Sequence, residues 1–437
     1  MAIDLIRNTI LKPPSSSDAD AVVPRVPLTI FDQAAFDLHV AVLYAFRPPM
    51  PSNEALKEGL SKALFHYPHL AGRLTTDQCD RPAIILNNAG IRIIETFVST
   101  TLADQLPFTP STDLTHLLPP TQGVEELLQI QLNRYACGGL VIGQTAHHHV
   151  ADGQSMSSFF IAWAKLVRGL PLDPLPYHDR SAVSVPRNPP SPEFDHRRIE
   201  FRKCATSHSI TSLSSIANIA VHFSADFIAN LKVKVNEGGK HRYSAFECLL
   251  SHMWKKVTMA RGLAEEEWTQ VRVAVNGRAR MKPPVAMEYF GNLVLWAYPK
   301  LRVGELLKES HKYVAKAIHE AVAKLDSEYF QSFVDFGEMA AGKEKGGGGG
   351  EEKLVATAPE VGTVMCPNLE VDSWLRFEFH DLDFGGGGPV ALLPPNMPVE
   401  GLIIFVPSSK EGGGMDVFVA LLHEHVQLFK QISHSLD

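Results

Sequence analysis

The segment Gly138–Phe160, GGLVIGQTAHHHVADGQSMSSFF, is the most informative part of this chain. Leu140–Thr145 is an apolar run with the length of a buried strand, and an apolar stripe predicts a helix over Ser155–Arg168. Three histidines and the pair Asp152-Gly153 separate the two. A strand that leads into a helix holds a side chain rigidly at a cleft. Because imidazole accepts and returns protons near neutral pH, His148 is a candidate general base.

The spacing H-x-x-x-D is not specific by itself, because the chain repeats it at His222 and Asp226. There, Ser224 predicts a helix N-cap, with Asp226 favourable in the first turn. For the first copy, metal binding by the histidines at 147–149 is the alternative interpretation. Consecutive residues of an extended chain point to alternate faces, so we expect no metal site.

Composition excludes several classes of protein. A net charge of −7 gives no electrostatic reason to expect a nucleic-acid partner. The first residues, MAIDLIRNTILKPP, lack the apolar core of a signal peptide, and no run approaches the ~20 apolar residues of a membrane span. We therefore expect a cytoplasmic monomer without a membrane partner. The scattered cysteines predict free thiols in a reducing compartment. They are Cys79, Cys137, Cys204, Cys248 and Cys366.

The 437 residues are too many for one hydrophobic core. A stretch rich in proline and histidine, with little periodicity, predicts a crossover between two domains. We place the N-terminal domain at 1–180, the crossover at 181–212 and the C-terminal domain at 213–437, with some segments of the latter packing on the former. The glycine-rich run at 342–353 predicts a disordered surface loop.

Motifs along nearly the whole chain resemble those of the plant BAHD acyltransferases in order and spacing. Besides HHHVADG, they are Tyr67-Pro68, Ala71-Gly72-Arg73-Leu74, Asn276-Gly277-Arg278-Ala279-Arg280, Tyr289-Phe290-Gly291-Asn292 and Asp383-Phe384-Gly385. The resemblance implies an α/β fold of two chloramphenicol-acetyltransferase-like domains with a solvent channel between them. Acyl-CoA, as a co-substrate, would enter from one side and the acceptor from the other, with no bound cofactor. It also implies that His148 is the base and that Asp152 pairs with Arg278 or Arg280 to shape the site.

The last motif departs from the family pattern. Asp383-Phe384-Gly385 continues with Gly386-Gly387, where the family has tryptophan and glycine. In the family this motif is structural and lies away from the chemistry, so the change affects local packing. The DFGGG form, with His178–Arg180, Glu370–Arg376 and Met397–Leu402, resembles the agmatine coumaroyltransferases and related hydroxycinnamoyl-amide enzymes of cereals.

Three residues near the C-terminal end are candidates for the substrate site. The resemblance implies that Trp374 donates its indole N–H to the oxyanion, although it could also simply pack in the channel wall. Asp372 is acidic where relatives have threonine, which suits a positively charged acceptor. Glu370 is a second candidate for this role. The alternative for both acids is solvation or a salt bridge with Arg376.

Basic and polar residues on one helix are candidates for CoA binding. Ser244 and Glu247 predict a capping box for this helix. Lys255, Lys256 and Arg261 follow along it, and Arg280 lies further along the chain. Cationic side chains could meet the CoA phosphates. The alternative is that the lysines are only solvated.

The predicted function is transfer of a hydroxycinnamoyl group, such as p-coumaroyl or feruloyl, from CoA to a primary amine. Agmatine is the preferred acceptor, and putrescine, tryptamine and tyramine remain open. Alternatives within the same chemistry are O-acylation of an alcohol and the use of benzoyl-CoA. A non-catalytic ligand-binding protein of the same fold is the alternative of another class.

Overall fold

A computed structural model describes residues 2–14, 23–201, 209–239, 241–345, 354, 356 and 359–436. Its strands are β1 (Ile3–Leu11), β2 (Arg25–Pro27), β3 (His39–Phe46), β4 (Arg73–Thr76), β5 (Pro82–Ile85), β6 (Ile91–Val98), β7 (Leu128–Tyr135), β8 (Leu140–His147), β9 (Ile216–Phe223), β10 (Trp268–Asn276), β11 (Val294–Ala297), β12 (Lys300–Arg302), β13 (Leu369–Ser373), β14 (Ala391–Leu393), β15 (Leu402–Pro407) and β16 (Met415–Leu422). Its helices are α1 (Ile30–Ala34), α2 (Asn53–His66), α3 (Gly153–Val167), α4 (His196–Ile199), α5 (Ala225–Asn236), α6 (Ala245–Arg261), α7 (Val303–Lys308), α8 (His311–Ala323), α9 (Ser327–Lys345) and α10 (His423–Ile432).

Two large mixed sheets form the framework, and a small third sheet joins β2, β5 and β4. The first large sheet has the order β1-β6-β7-β8-β3-β14. The second has the order β11-β10-β13-β15-β16-β9, with β12 paired to β10. Since β14 comes from the C-terminal half of the chain and pairs with β3, that half contributes a strand to the first sheet.

Helices cover one face of each large sheet, and the other face contributes to an apolar cluster that the two sheets share with Leu102, Leu114 and Leu117. Apolar residues of α2 and α3 pack on the first sheet, and those of α5, α6, α8 and α9 pack on the second. A third apolar cluster joins the sheets, with Leu43 and Val141 from the first and Ile404, Val406 and Phe418 from the second. The α/β class expected from the sequence is confirmed, and the two sheets meet along this shared face.

Local sequence signals explain where the site-bearing elements begin. Asp152 caps α3 by accepting from the Ser155 N–H, and Ser244 forms the predicted capping box with Glu247 at α6. Ser224 caps α5, as predicted for the second H-x-x-x-D copy.

Other predictions have mixed outcomes. The backbone of residues 342–345 continues α9 rather than forming a loop, because lysine and glutamate at 343–345 favour a helix, and 346–353 lie outside the described residues. Four of the cysteines are free thiols, and Cys204 also lies outside the described ranges. In the part of the chain that the structure describes, no helix has both the length and the apolar character needed to cross a bilayer.

Candidate active site

His148 lies in the turn between β8 and α3. Its backbone N–H donates to the Leu38 carbonyl (2.9 Å), which fixes the main chain beside β3. The ring is half-buried, and Nδ1 lies 3.2 Å from Oδ1 of Asn292. Nε2 has no partner among the described residues. Of the two ring nitrogens, the described part of the protein therefore engages only Nδ1.

Asp152 does not contact His148 but forms a buried ion pair with Arg278, at 2.8 and 3.1 Å. Its oxygens also accept from the backbone N–H groups of Ser155 (2.9 Å) and Leu293 (3.0 Å). Burial raises the pKa of Asp152, but Arg278 and these hydrogen bonds outweigh that effect and lower it below its ordinary value. Of the two arginines implied by the resemblance, Arg278 is the partner. Arg280 instead contacts α8.

Asn292 is a site residue to which sequence reasoning gave no role, although it closes the quoted Tyr289–Asn292 motif. Its Nδ2 donates to the His148 carbonyl (2.8 Å) and to Oδ1 of Asp32 (3.0 Å). Asp32 was also missed, because its local signal, the Thr29-x-x-Asp32 capping box, predicts the start of a helix and not a functional site. Both residues lie far from His148 in sequence, so only the tertiary structure brings them together.

Two of the three consecutive histidines share a side of the turn. His147 Nε2 lies 3.3 Å, and His149 Nδ1 3.9 Å, from Oδ1 of Asp37, and the three atoms lie within 4.8 Å of one another. Residues two apart in an extended chain face the same way, so His147 and His149 lie on one side and only His148 points to the other. Nδ1 of His147 accepts from the His149 backbone N–H (3.3 Å). Burial, then His149, lowers the pKa of His147 to about 4, so the ring is neutral and its Nε2–H faces Asp37. Asp37, His147 and His149 therefore form a group whose spacing could hold a metal ion, which the alternation argument did not anticipate.

Two acidic residues, Asp372 and Glu370, lie with Arg272 on the face of the second sheet that contributes to the shared apolar cluster. Asp372 pairs in register with Ile404, a member of the cluster between the sheets, so both point to that face. Glu370, two residues earlier, shares the face but is buried and bound to Arg272 at 2.9 Å. A salt bridge was the alternative that the sequence offered for these acids, with Arg376 as the partner. Glu370 does form one, but its partner is Arg272. Its charge is neutralised within the protein, which weakens its candidacy as a substrate ligand.

Asp372 is half-buried and differs from Glu370 in its electrostatics. Burial, and to a smaller extent the Glu370 carboxylate, raises the pKa of Asp372 to about 7, and Arg272 only partly opposes this. A cation placed beside Asp372 would relieve both effects. Asp372 is thus the acid of this group that gains most from a positively charged ligand.

Aromatic rings connect the acidic group to the base. The guanidinium carbon of Arg272 lies 3.7 Å from the Trp296 ring centre and 5.0 Å from that of Phe36. The Phe36 ring lies edge-on to His148 with 6.1 Å between centres. Trp374 follows β13, packs between the first-sheet core and the cluster between the sheets, and has no acceptor for its indole N–H among the described residues.

The residues proposed for CoA binding on α6 have internal partners. The Ser244 hydroxyl donates to the Glu247 carboxylate (2.7 Å) in the capping box. Lys255 is buried and donates to two carbonyl oxygens at the end of α7. Lys256 is buried as well. The lysines are therefore not solvated on an exposed helix face, because α6 is covered by α5, α7, α8 and α10.

The two arginines proposed for CoA binding are also engaged. Arg261 is buried in an ion pair with Glu400 (2.7 Å), and Arg280 donates to two carbonyl oxygens at the end of α8 (2.7 and 2.9 Å). Charges that already satisfy buried groups are costly to redirect to a phosphate. The structure therefore does not support phosphate contacts by Lys255, Arg261 or Arg280.

The glycine-rich motif after β13 packs on the first half of the chain. Asp383 accepts from the backbone N–H groups of Gly385 and Gly387 (2.7 and 2.8 Å), and Gly385 has a φ of +110° that favours glycine. The Phe384 ring is buried against Trp163, with 4.8 Å between ring centres. These contacts join the motif to its own backbone and to Trp163 of α3.

Comparison with known proteins agrees with this architecture. Residues 1–436 match the model of the Transferase family. The chain is 49% identical to tryptamine hydroxycinnamoyltransferase 2 of Oryza sativa subsp. japonica, with 100% of both chains covered. It is 42% identical to agmatine coumaroyltransferase-1 of Hordeum vulgare, with 94% of each covered. The fold is similar to that of vinorine synthase, with a TM-score of 0.73, 20% identity and 98% and 96% of the two chains covered.

A family match over nearly the whole chain, together with the H-x-x-x-D-G segment at the junction of the two sheets, places the protein: it belongs to the Transferase family, the BAHD acyl-CoA-dependent acyltransferases.

Proposed function

We propose that this enzyme transfers a hydroxycinnamoyl group from its CoA thioester to the primary amine of a biogenic amine. The observation that carries the proposal is the half-buried imidazole of His148, which Asn292 holds through Nδ1 while Nε2 stays without a partner among the described residues. The relatives named above transfer hydroxycinnamoyl or coumaroyl groups to amines, which supports the same class of reaction here.

In the proposed mechanism, Nε2 of His148 accepts a proton from the amine as its nitrogen bonds to the thioester carbonyl carbon. The carbonyl oxygen becomes a tetrahedral oxyanion, and we propose that the indole N–H of Trp374 donates to it. When the C–S bond breaks, the imidazolium returns its proton to the CoA thiolate. The products are the amide and free CoA, and the imidazole is regenerated. General-base catalysis of this kind contributes about 10²–10⁴-fold.

Asp372 supports an acceptor that carries a second, distal cation, as agmatine does in its guanidinium. An aliphatic amine with a pKa near 10 enters mostly as ammonium and must lose a proton before it attacks. An acid beside the attacking nitrogen would oppose that loss. An acid beside a distal guanidinium instead gains a charge-assisted hydrogen bond, worth about 1.5–3 kcal/mol. A guanidinium would also hold Asp372 in its ionised form.

Tryptamine is a second candidate acceptor. The chain is more similar to the tryptamine relative than to the agmatine relative, at 49% against 42% identity. The Phe36 ring, which lies edge-on to His148, is a candidate stacking partner for an indole. With this acceptor the second cation is absent, so the dependence on Asp372 separates the two candidates.

The test crosses p-coumaroyl-CoA and benzoyl-CoA with agmatine, putrescine, tryptamine, tyramine and an alcohol, and measures release of the CoA thiol. We expect the highest kcat/KM with p-coumaroyl-CoA and an amine. His148→Ala should lower turnover by about 10²–10⁴-fold while CoA binding, followed by calorimetry, is retained. Release with alcohols alone would indicate an O-acyltransferase. No release with any acceptor would leave the non-catalytic alternative.

The acceptor is then resolved with the variant Asp372→Asn. If agmatine is the acceptor, this nearly isosteric change should raise its KM by at least about tenfold, which corresponds to 1.4 kcal/mol. Activity with tyramine is the matched control and should change by no more than about twofold. A twofold change corresponds to less free energy than one hydrogen bond to a charged group contributes. Unchanged use of agmatine would contradict cation recognition by Asp372.

A further inference from the structure

The hydrogen bonds around His148 determine which ring nitrogen carries its proton. We infer that Asn292, held in turn by Asp32, keeps His148 in the tautomer with hydrogen on Nδ1, which leaves Nε2 as the basic nitrogen. The catalytic consequence rests on the proposed function, but the tautomer itself does not. Asn292 and Asp32 are positioning residues in this scheme, because they act through His148.

The orientation of the Asn292 amide follows from its neighbours. On one side it lies 3.0 Å from a carboxylate oxygen of Asp32 and 2.8 Å from the backbone carbonyl of His148. Both of these groups can only accept hydrogen bonds, so the amide must present its NH₂ group to them. The amide oxygen consequently faces Nδ1 of His148 at 3.2 Å. An oxygen without hydrogen requires a donor, so Nδ1 carries the hydrogen.

Asp32 cannot turn away from this arrangement. It is fully buried and accepts from the backbone N–H and the hydroxyl of Thr29, both at 2.8 Å. It also accepts from Arg180 and from the Asn292 backbone N–H at 3.1 Å. Every one of these neighbours is a donor, so the carboxylate offers only lone pairs to the Asn292 amide.

Asp152 fixes the same loop from the other side. It accepts from the Leu293 N–H, while the Gly291 carbonyl accepts from the Ser155 hydroxyl (2.9 Å) and from Arg278 (3.3 Å). The residues on both sides of Asn292 are therefore pinned to the start of α3. The aspartate of H-x-x-x-D thus reaches the histidine indirectly, through the loop that carries Asn292.

This arrangement suits the chemistry of acyl transfer. A neutral imidazole has one N–H, so hydrogen on Nδ1 leaves the Nε2 lone pair for the amine proton. After proton uptake, Nδ1–H still donates to the neutral Asn292 oxygen and no second proton has to move. A neutral acceptor stabilises imidazolium less than a carboxylate would, which favours return of the proton to the leaving thiolate.

The direct test is the tautomer of His148 in the full-length enzyme without substrate. Histidine labelled with ¹⁵N gives ring correlations in which the protonated and bare nitrogens differ, and the signals lost in His148→Ala identify His148. The spectrum is recorded at a pH where the ring is neutral. Hydrogen on Nδ1 is the expected result, and hydrogen on Nε2 would overturn the inference. This measurement on the wild-type enzyme does not depend on any variant folding, apart from the assignment.

The variant Asn292→Ala tests the positioning role. We expect His148 to lose its Nδ1–H preference and kcat to fall by about tenfold or more, as tautomer control predicts, with KM for the acyl-CoA nearly unchanged. His222→Ala is the matched control for labelling, since His222 pairs with Asp416 at 2.8 Å in the second H-x-x-x-D copy. Unchanged tautomer and kcat in Asn292→Ala would refute the role. An Nδ1–H tautomer in an enzyme that acylates no amine would instead refute only the proposed function.

Discussion

Replacing Asp152 by asparagine should damage the fold as well as the reaction. The Arg278 side chain is fully buried, and the carboxylate that neutralises it is that of Asp152, through two hydrogen bonds. Asparagine keeps one acceptor oxygen but removes the charge and turns an NH₂ group toward either Arg278 or the Leu293 N–H. Leaving one member of a buried ion pair uncompensated costs about 3–5 kcal/mol. The ratio of folded to unfolded protein should therefore fall by about 10²–10⁴-fold.

Urea unfolding at pH 7, followed by fluorescence, measures this free energy. The matched control is Asp226→Asn in the second H-x-x-x-D copy, where the aspartate is exposed in the first turn of α5. That change should stay within about 0.5 kcal/mol. A double variant, Asp152→Asn with Arg278→Met, removes both charges and should recover part of the lost stability.

Two results would contradict this role of Asp152. Wild-type stability in Asp152→Asn, within about 1 kcal/mol, would contradict the cost of an unpaired buried arginine. A large loss of activity with unchanged stability would show that Asp152 acts directly on the reaction rather than through the packing of the 291–293 loop.

Three further predictions concern Asp372, Trp374 and the glycine-rich motif. The pKa of Asp372 is about 7 in the folded protein against an ordinary 3.8, so between these pH values the folded protein keeps a proton that the unfolded chain releases. Wild type should therefore lose stability relative to Asp372→Asn as the pH rises from about 4 to 7. Urea midpoints at several pH values measure this difference in stability, and a difference that does not change with pH would contradict the raised pKa. Trp374→Phe keeps the packing but removes the indole N–H, so kcat should fall by about 10²-fold or more with folding intact; an unchanged kcat would assign Trp374 to packing alone. Phe384→Ala empties a buried site beside Trp163 and should cost about 3–5 kcal/mol in urea unfolding, with kcat retained in the folded fraction; loss of kcat without loss of stability would oppose a structural role.

Local signals were enough to predict the elements around the base. The apolar run before His147 becomes β8, and the helix predicted from Ser155 becomes α3, which begins two residues earlier, at Gly153, with Asp152 as its N-cap. The same reasoning separated the second H-x-x-x-D copy, in which Ser224 is the cap. Caps and periodicity act over a few residues, so they can be recognised without the tertiary structure.

The partners of the site residues could not be predicted in the same way. Glu370 pairs with Arg272 because β10 and β13 are parallel neighbours, a pairing that joins residues about a hundred positions apart. Both interpretations of Lys255, CoA binding and solvation, required an accessible side chain, but tertiary packing covers α6 on several sides. The sequence shows which side chains are available, and the fold determines which of them remain free.

The two buried aspartates give the H-x-x-x-D spacing a physical reason. An aspartate four residues after the histidine is the N-cap of α3, and from there its second oxygen reaches Leu293 and its charge reaches Arg278, both in the C-terminal half. Asp32 fastens the same loop from the side of α1, in the N-terminal half. The loop bearing Asn292 is thus held at two points by the part of the chain that supplies His148. A change that loosens either point should disturb the base without touching it, which is why the motif pairs a catalytic candidate with a structural acid.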